Sequence, residues 1–202
     1  MRFTVPIIII VFSVVFKTVV NRKPKNDPDA LFMERERLAN LTPKKDISGL
    51  PYIKVPVSEL PLDVPTESEE TKERQDIIRS MADKQVLNLT GITNTDLKLE
   101  YGAPNINILS AADGNYTRLI QSITYLSEDY INSRHLSEAR RLLEYGISIG
   151  TDSRRSYLML ASIYKEEGTP EKIAPLIESA KKIDSLLRES IISSLEEASS
   201  DL

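Results

Sequence analysis

The chain repeats itself at an interval of 34 residues. Leu126, Tyr130, Ala139, Leu143 and Gly146 are followed at that spacing by Leu160, Tyr164, Ile173, Ile177 and Ala180. A unit of this length with large apolar, aromatic and small residues at constant offsets suits antiparallel helix pairs. Each pair buries its apolar side on the next one. Stacks of that kind present broad surfaces and bind other chains more often than they catalyse.

Around this echo the residues predict helices at about 115–133, 137–149, 153–167 and 170–183. Asp152 or Ser153 caps the third. Gly168, Thr169 and Pro170 end it and open the fourth, with Thr169 as N-cap and proline in the first turn. Pro175 is expected to remove one backbone bond and bend the fourth helix. A fifth helix at about 185–198, with Leu186, Leu187, Ile191, Ile192 and Leu195 against charged neighbours, reads as a terminal cap.

Upstream, the acid-rich Thr66–Glu70 start precedes a helix over about 67–88. Thr93 and Asp96 form a capping-box pattern ahead of a short helix at 95–101, and residues 102–114 read as a loop. These two helices and the terminal cap complete a seven-helix, right-handed array over residues 66–202.

In front of that domain lie two different segments. Residues 21–50 are charged and broken by Pro24, Pro28 and Pro43, a juxtamembrane linker. A short helix after Asp27-Pro28 could lie on a membrane, but its mixed charge favours a solvated stalk. From Pro51 to Pro65 the prolines at 51, 56, 61 and 65 forbid a helix and leave an extended strap. The alternatives are packing on its own helices or docking into a partner; the proline spacing, which makes no PxxP ligand, favours self-packing.

Residues 3–20 contain only Thr4, Ser13, Lys17 and Thr18 as polar members, 18 residues or about 27 Å of helix. That length matches a bilayer core, and residues 1–20 read as a transmembrane anchor. A cleaved signal peptide is the rival, but the exit Phe16-Lys17-Thr18-Val19-Val20 lacks small residues at a cleavage site. Arg22, Lys23 and Lys25 follow the span while only Arg2 precedes it. The expectation is a single-pass protein of the cell membrane whose C-terminal domain is cytoplasmic.

Five of the 26 basic residues precede Asp27, the first acid. The body after Asn26 therefore has 21 basic against 30 acidic residues, a formal charge of −9. Such a body repels phosphate backbones, so no nucleic-acid partner is expected and protein or peptide partners should be neutral or basic. There is no cysteine and a single histidine, His135. Carboxylate pairs such as Glu166-Glu167 have no partner base, and the glycines are scattered. No metal, no cofactor and no enzymatic activity are expected.

The repeated residues resemble the tetratricopeptide repeat over about 116–184, with units at about 119–152 and 153–186. Leu160-Ala161-x-x-Tyr164 and Leu126-Ser127-x-x-Tyr130 match its first helix, and Ala139, Leu143 and Gly146 its second. Ile173 stands where a small residue is usual, and Thr151 and Ser185 where a proline is usual. An ordinary bundle with an accidental echo is the plain alternative. The segment at 85–102 with its flanks resembles small membrane-anchored bacterial proteins of uncharacterised function.

The resemblance implies an all-α fold and a concave binding surface made by the first helix of each repeat. Its candidate protein-binding residues are Gln121, Thr124, Glu128, Asn132, Arg155, Leu158, Ser162 and Lys165. Family members that clamp a terminal carboxylate use Lys and Asn where this chain has Thr124, Glu128, Leu158 and Ser162, so that activity is not expected. The function so implied is a membrane-anchored scaffold or adaptor. The alternative is a structural subunit buried permanently in a larger membrane complex.

Overall fold

The computed structural model describes residues 27–200. The anchor expected at 3–20 lies outside them, and among the described residues no helix is long and apolar enough to cross a membrane. They form an all-helical body without strands. The α-helices are α1 (Pro28–Leu41), α2 (Glu69–Ser80), α3 (Asn94–Tyr101), α4 (Ile106–Asn132), α5 (Leu136–Ser148), α6 (Arg154–Glu166), α7 (Ile173–Ala180) and α8 (Arg188–Ser200).

Helix α4 organises the rest. Its buried side chains Leu109, Ala112, Tyr116, Leu119, Ile123, Leu126 and Tyr130 alternate three and four residues apart, one unbroken stripe along 27 residues. The expected loop at 102–114 is therefore a 3₁₀ turn, Ala103–Asn105, followed by the first turns of this helix. Gly114 costs about 1 kcal/mol against alanine within a helix, whereas each buried leucine or isoleucine returns about 1.5–3 kcal/mol. Continuation wins.

The stripe serves two cores. Its C-terminal part enters the main core with α2, α5, α6, α7 and α8, while Leu109 and Ala112 enter a smaller one with Leu87, Leu89 and Leu97. Thus α3, expected in the stack, packs instead with α1 and the start of α4 around the second core. The capping box of α3 forms as expected, with Asp96 N–H donating to Thr93 Oγ1. Gly102 then turns the chain at φ 93°, where a Cβ would collide with the Pro43 carbonyl.

Other boundaries differ for local reasons. α2 ends at Ser80, and residues 85–90 run as a connector that buries Val86, Leu87 and Leu89. The α-helical part of the fourth predicted helix starts at Ile173, so Pro175 falls in its first turn and removes no intrahelical bond. Thr169 makes no side-chain cap; its hydroxyl donates to the Tyr164 carbonyl. α8 starts at Arg188, which leaves Leu186 and Leu187 exposed while Ile191 and Leu195 are buried.

The proline-rich strap packs on its own helices through Val55, Leu60 and Leu62. Prolines remove strap donors, so its carbonyls receive side chains. Tyr130 Oη donates to the Pro61 carbonyl at 2.8 Å, Gln75 Nε2 to Val64 at 2.9 Å, and Arg79 to Leu62. Residues 42–45, expected as linker, are tied to the end of α3: Lys45 N–H donates to the Tyr101 carbonyl and Asn105 Nδ2 to that of Lys45. The folded body therefore takes in residues 27–65.

The 34-residue echo has a geometric counterpart. Nine of the ten echoed residues are buried, and Ile177 is half-buried against the same core. Both α4 and α6 end on a left-handed residue at equivalent positions, Arg134 at φ 64° and Gly168 at φ 70°. After each, an N–H returns to the tyrosine carbonyl five residues back, His135 to Tyr130 and Thr169 to Tyr164, both at 2.8 Å.

This packing has consequences for stability. A non-glycine residue in the left-handed region costs about 1–2 kcal/mol, and glycine's extra unfolded freedom returns part of that. The Arg134 ion pair with Glu166, at 3.7 Å and 84% exposed on the arginine side, adds little. Arg134→Gly should therefore raise unfolding stability by about 0.5–1 kcal/mol in a urea titration. Burial raises the phenol pKa of Tyr145 and Tyr157 from 10.0 to about 12 and moves those of Tyr116 and Tyr164 the same way. An unfolded chain ionises these phenols first. Stability from them is complete below pH 10 and declines as pH rises through the folded values, which an alkaline absorbance titration followed by circular dichroism would register.

Candidate functional site

The predicted binding residues fall on neighbouring faces of α4 and α6, and the structure separates them into two groups. Thr124 is buried. Its hydroxyl donates to the Ile120 carbonyl at 2.8 Å and lies 2.8 Å from Ser156 Oγ, joining the two helices. Leu158 is half-buried against the main core, and Lys165 is half-exposed in the last turn of α6. Gln121, Asn132, Ser162 and Arg155 are exposed, and Glu128 pairs with Arg155 across the helix gap.

Between them stands a residue the sequence analysis missed. Tyr125 is 45% exposed, and the guanidinium carbons of Arg74 from α2 and Arg155 from α6 each lie 5.5 Å from its ring centroid. Each arginine is also held by acids. Arg74 pairs with Asp129 and, at 3.5 Å, with Glu70, while Thr71 Oγ1 donates to the same Asp129 carboxylate from 3.1 Å away. The result is a ridge across α2, α4 and α6 in which an aromatic ring is clamped by two cations.

One signal could have found Tyr125. Gln121, Tyr125, Glu128 and Asn132 are spaced four, three and four, a narrower outward stripe than the one through Thr124. Nothing local to the sequence brings Arg74 to the ring; that depends on how α2 docks against α4.

Three arginines of α5 and α6 are also held within the body. Arg140 lies 3.6 Å from Glu144 and 3.3 Å from Glu167, ion pairs without an aligned hydrogen bond. Arg141 donates to the Glu59 carbonyl and Arg154 to Ser194 Oγ. Of these partners only Glu144 lies within one helical turn; Glu167, Glu59 and Ser194 are distant in sequence.

A cleft of about 610 Å³ opens on the other side, between α5 and α7. Its floor is Leu160, Tyr164 and Leu176, with Lys172 and Lys182 at its rim. Tyr164 Oη donates to Glu144 at 3.0 Å, and Lys172 Nζ lies 5.3 Å from that ring. Burial, reinforced by the Glu144 carboxylate, pushes the pKa of this phenol above its ordinary value. A neutral phenol, one carboxylate and two ammonium groups suit hydrogen bonding and charge pairing. Among the described residues no group of three or more His, Cys, Asp or Glu is placed to hold a metal ion.

The ridge behaves as an electrostatic unit. Reversing Glu128 or Arg155 alone should cost about 0.5–1 kcal/mol, because each leaves a like-charged pair on a partly exposed face. The combined Glu128→Arg and Arg155→Glu variant should recover most of that loss in a thermal melt, with the coupling read from the double-mutant cycle.

No protein-family model matches the chain, and neither a curated protein nor a solved structure shows significant similarity to it.

Proposed function

We propose that this chain is a membrane-anchored protein–protein interaction module. A short tetratricopeptide-like array is held beside the bilayer by residues 3–20, on the cytoplasmic side of the cell membrane. The observation that carries the reading is Tyr125, half-exposed on the outward stripe of α4 and clamped by Arg74 and Arg155. Tyrosine and arginine are the residue types that dominate binding hot spots, and a ring already fixed by its neighbours loses little entropy on contact.

Further support comes from the equivalent turns at Arg134 and Gly168 and from the shared burial pattern of the two helix pairs. The ridge itself carries Glu70, Glu128 and Asp129 against Arg74 and Arg155, which suits a neutral or basic segment of another protein. A subunit buried permanently in a larger complex needs a continuous apolar face. Outside α1, among the described residues, the large exposed apolar side chains are Ile92, Ile108, Tyr125, Leu186 and Leu187, five in all, which is few for such a face.

Crosslinking the full-length protein in its native membrane and recovering its partner tests this reading. Tyr125→Ala should weaken capture by about 2 kcal/mol, roughly thirtyfold in Kd. Ser179→Trp, which fills the cleft between α5 and α7, should leave capture unchanged. The reverse pattern moves the binding site to the cleft, and capture that ignores both substitutions removes the helical array from contact.

A further inference from the structure

Helix α1 holds half of the large exposed apolar side chains among the described residues. Leu31, Phe32, Met33, Leu38 and Leu41 are 62%, 58%, 66%, 48% and 67% exposed, five of ten such residues on a helix of 14. Its C-terminal half is fixed to α3. Ala39 is fully buried, Arg35 pairs with Asp96, and Glu36 pairs with Lys98 at 3.1 Å and accepts from Thr95. Arg37 pairs with Glu34 on the helix itself. The mixed charge that favoured a solvated stalk is thus largely taken up by pairs within the body, and the first two turns project with their apolar side chains outward.

We propose that the Leu31-Phe32-Met33 end of α1 is a foot that inserts into the lipid headgroup region of the bilayer holding residues 3–20; this rests on the anchor reading. Only six residues separate Val20 from Asp27, seven Cα–Cα steps with a reach of at most about 24 Å however the chain runs. Whatever else the protein binds, the start of α1 stays that close to the end of the apolar segment. The stretch 22–29 carries Arg22, Lys23 and Lys25 against Asp27 and Asp29, a net +1 that anionic headgroups accept. Three consecutive helical side chains point about 100° apart and so cover more than half of the helix circumference. A flat protein face cannot cover all three. A fluid lipid surround can.

The consequence is a second fixed point. One flexible tether would leave the body free to tumble, whereas an anchor plus a foot rigidly docked on α3 sets which way the Tyr125 ridge faces. Covering Leu31, Phe32 and Met33 also removes three exposed apolar side chains from water.

The chain has no tryptophan, so a single one reports its own surroundings. Phe32→Trp, Met33→Trp and, as reference, Leu186→Trp, whose position between α7 and α8 is fully exposed, are made in the full-length protein. Each is reconstituted into phosphatidylcholine and phosphatidylglycerol vesicles containing lipid brominated near the headgroup end of its acyl chains. At an interfacial depth of about 5–10 Å, emission from the Phe32→Trp and Met33→Trp variants should shift to the blue and fall about twofold, with that of Leu186→Trp unchanged. Unquenched, red emission from the first two variants, in protein that floats with the vesicles, overturns the foot and leaves the anchor standing. A blue shift without bromine quenching assigns the patch to a protein contact and overturns it. Equal quenching in all three variants also overturns it, because the whole body would then lie on lipid. Failure to float removes the anchor, and the foot with it.

Discussion

One stripe on one helix holds this molecule together. Leu109, Ala112, Tyr116, Leu119, Ile123, Leu126 and Tyr130 continue along α4 without a gap, and the elements that pack directly on α4 are placed by which part of the stripe they cover. The first two residues gather the connector 87–89 and α3; the rest gather α2, α5 and the helices behind them. A helix of 27 residues is about 40 Å long, so a rod made rigid by burial along its length relates the two cores by geometry that no loop could hold.

The strap solves a problem that its prolines create. A buried segment poor in backbone donors leaves carbonyls that must find partners, and Tyr130, Gln75 and Arg79 supply them. Gln75 Nε2 also donates to Tyr130 Oη at 3.0 Å, so α2, α4 and the strap meet in one buried hydrogen-bonded set. Its energetic weight exceeds that of surface ion pairs, since leaving such a group unpaired costs about 1–3 kcal/mol. This set fixes α2 against α4. That placement, in turn, carries Arg74 to the ring of Tyr125 one turn away from the core.

In the proposed arrangement the two ends of the body have different duties. The α1 end meets the bilayer through apolar side chains and the ridge across α2, α4 and α6 meets a protein through an aromatic ring and charged neighbours. The acidic excess of the body works with this division, because it discourages the polar flanks from lying flat on anionic lipid. The cleft between α5 and α7, with its buried phenol paired to Glu144, is a separate concave surface, and its lysine rim distinguishes it chemically from the ridge.

Local patterns in the chain were sufficient for the helical class, the Thr93 and Asp96 capping box, a cap at Asp152 or Ser153 that the structure gives to Ser153, and the apolar face of Ile191 and Leu195. Each depends on residues within one or two turns of each other, or on offsets that recur, where spacing alone states the physics. The start of α4 was written there too, in Leu109 and Ala112, but Gly102, Pro104 and Gly114 outweigh it unless burial is known. Tertiary structure alone decided that Thr124 is interior, that Tyr125 lies between two arginines, that α1 docks on α3, and that the strap's carbonyls meet Tyr130 and Gln75. Most of those contacts join residues far apart in the chain. Their energies depend on which surfaces exclude water, a property of the packed chain and of no segment within it.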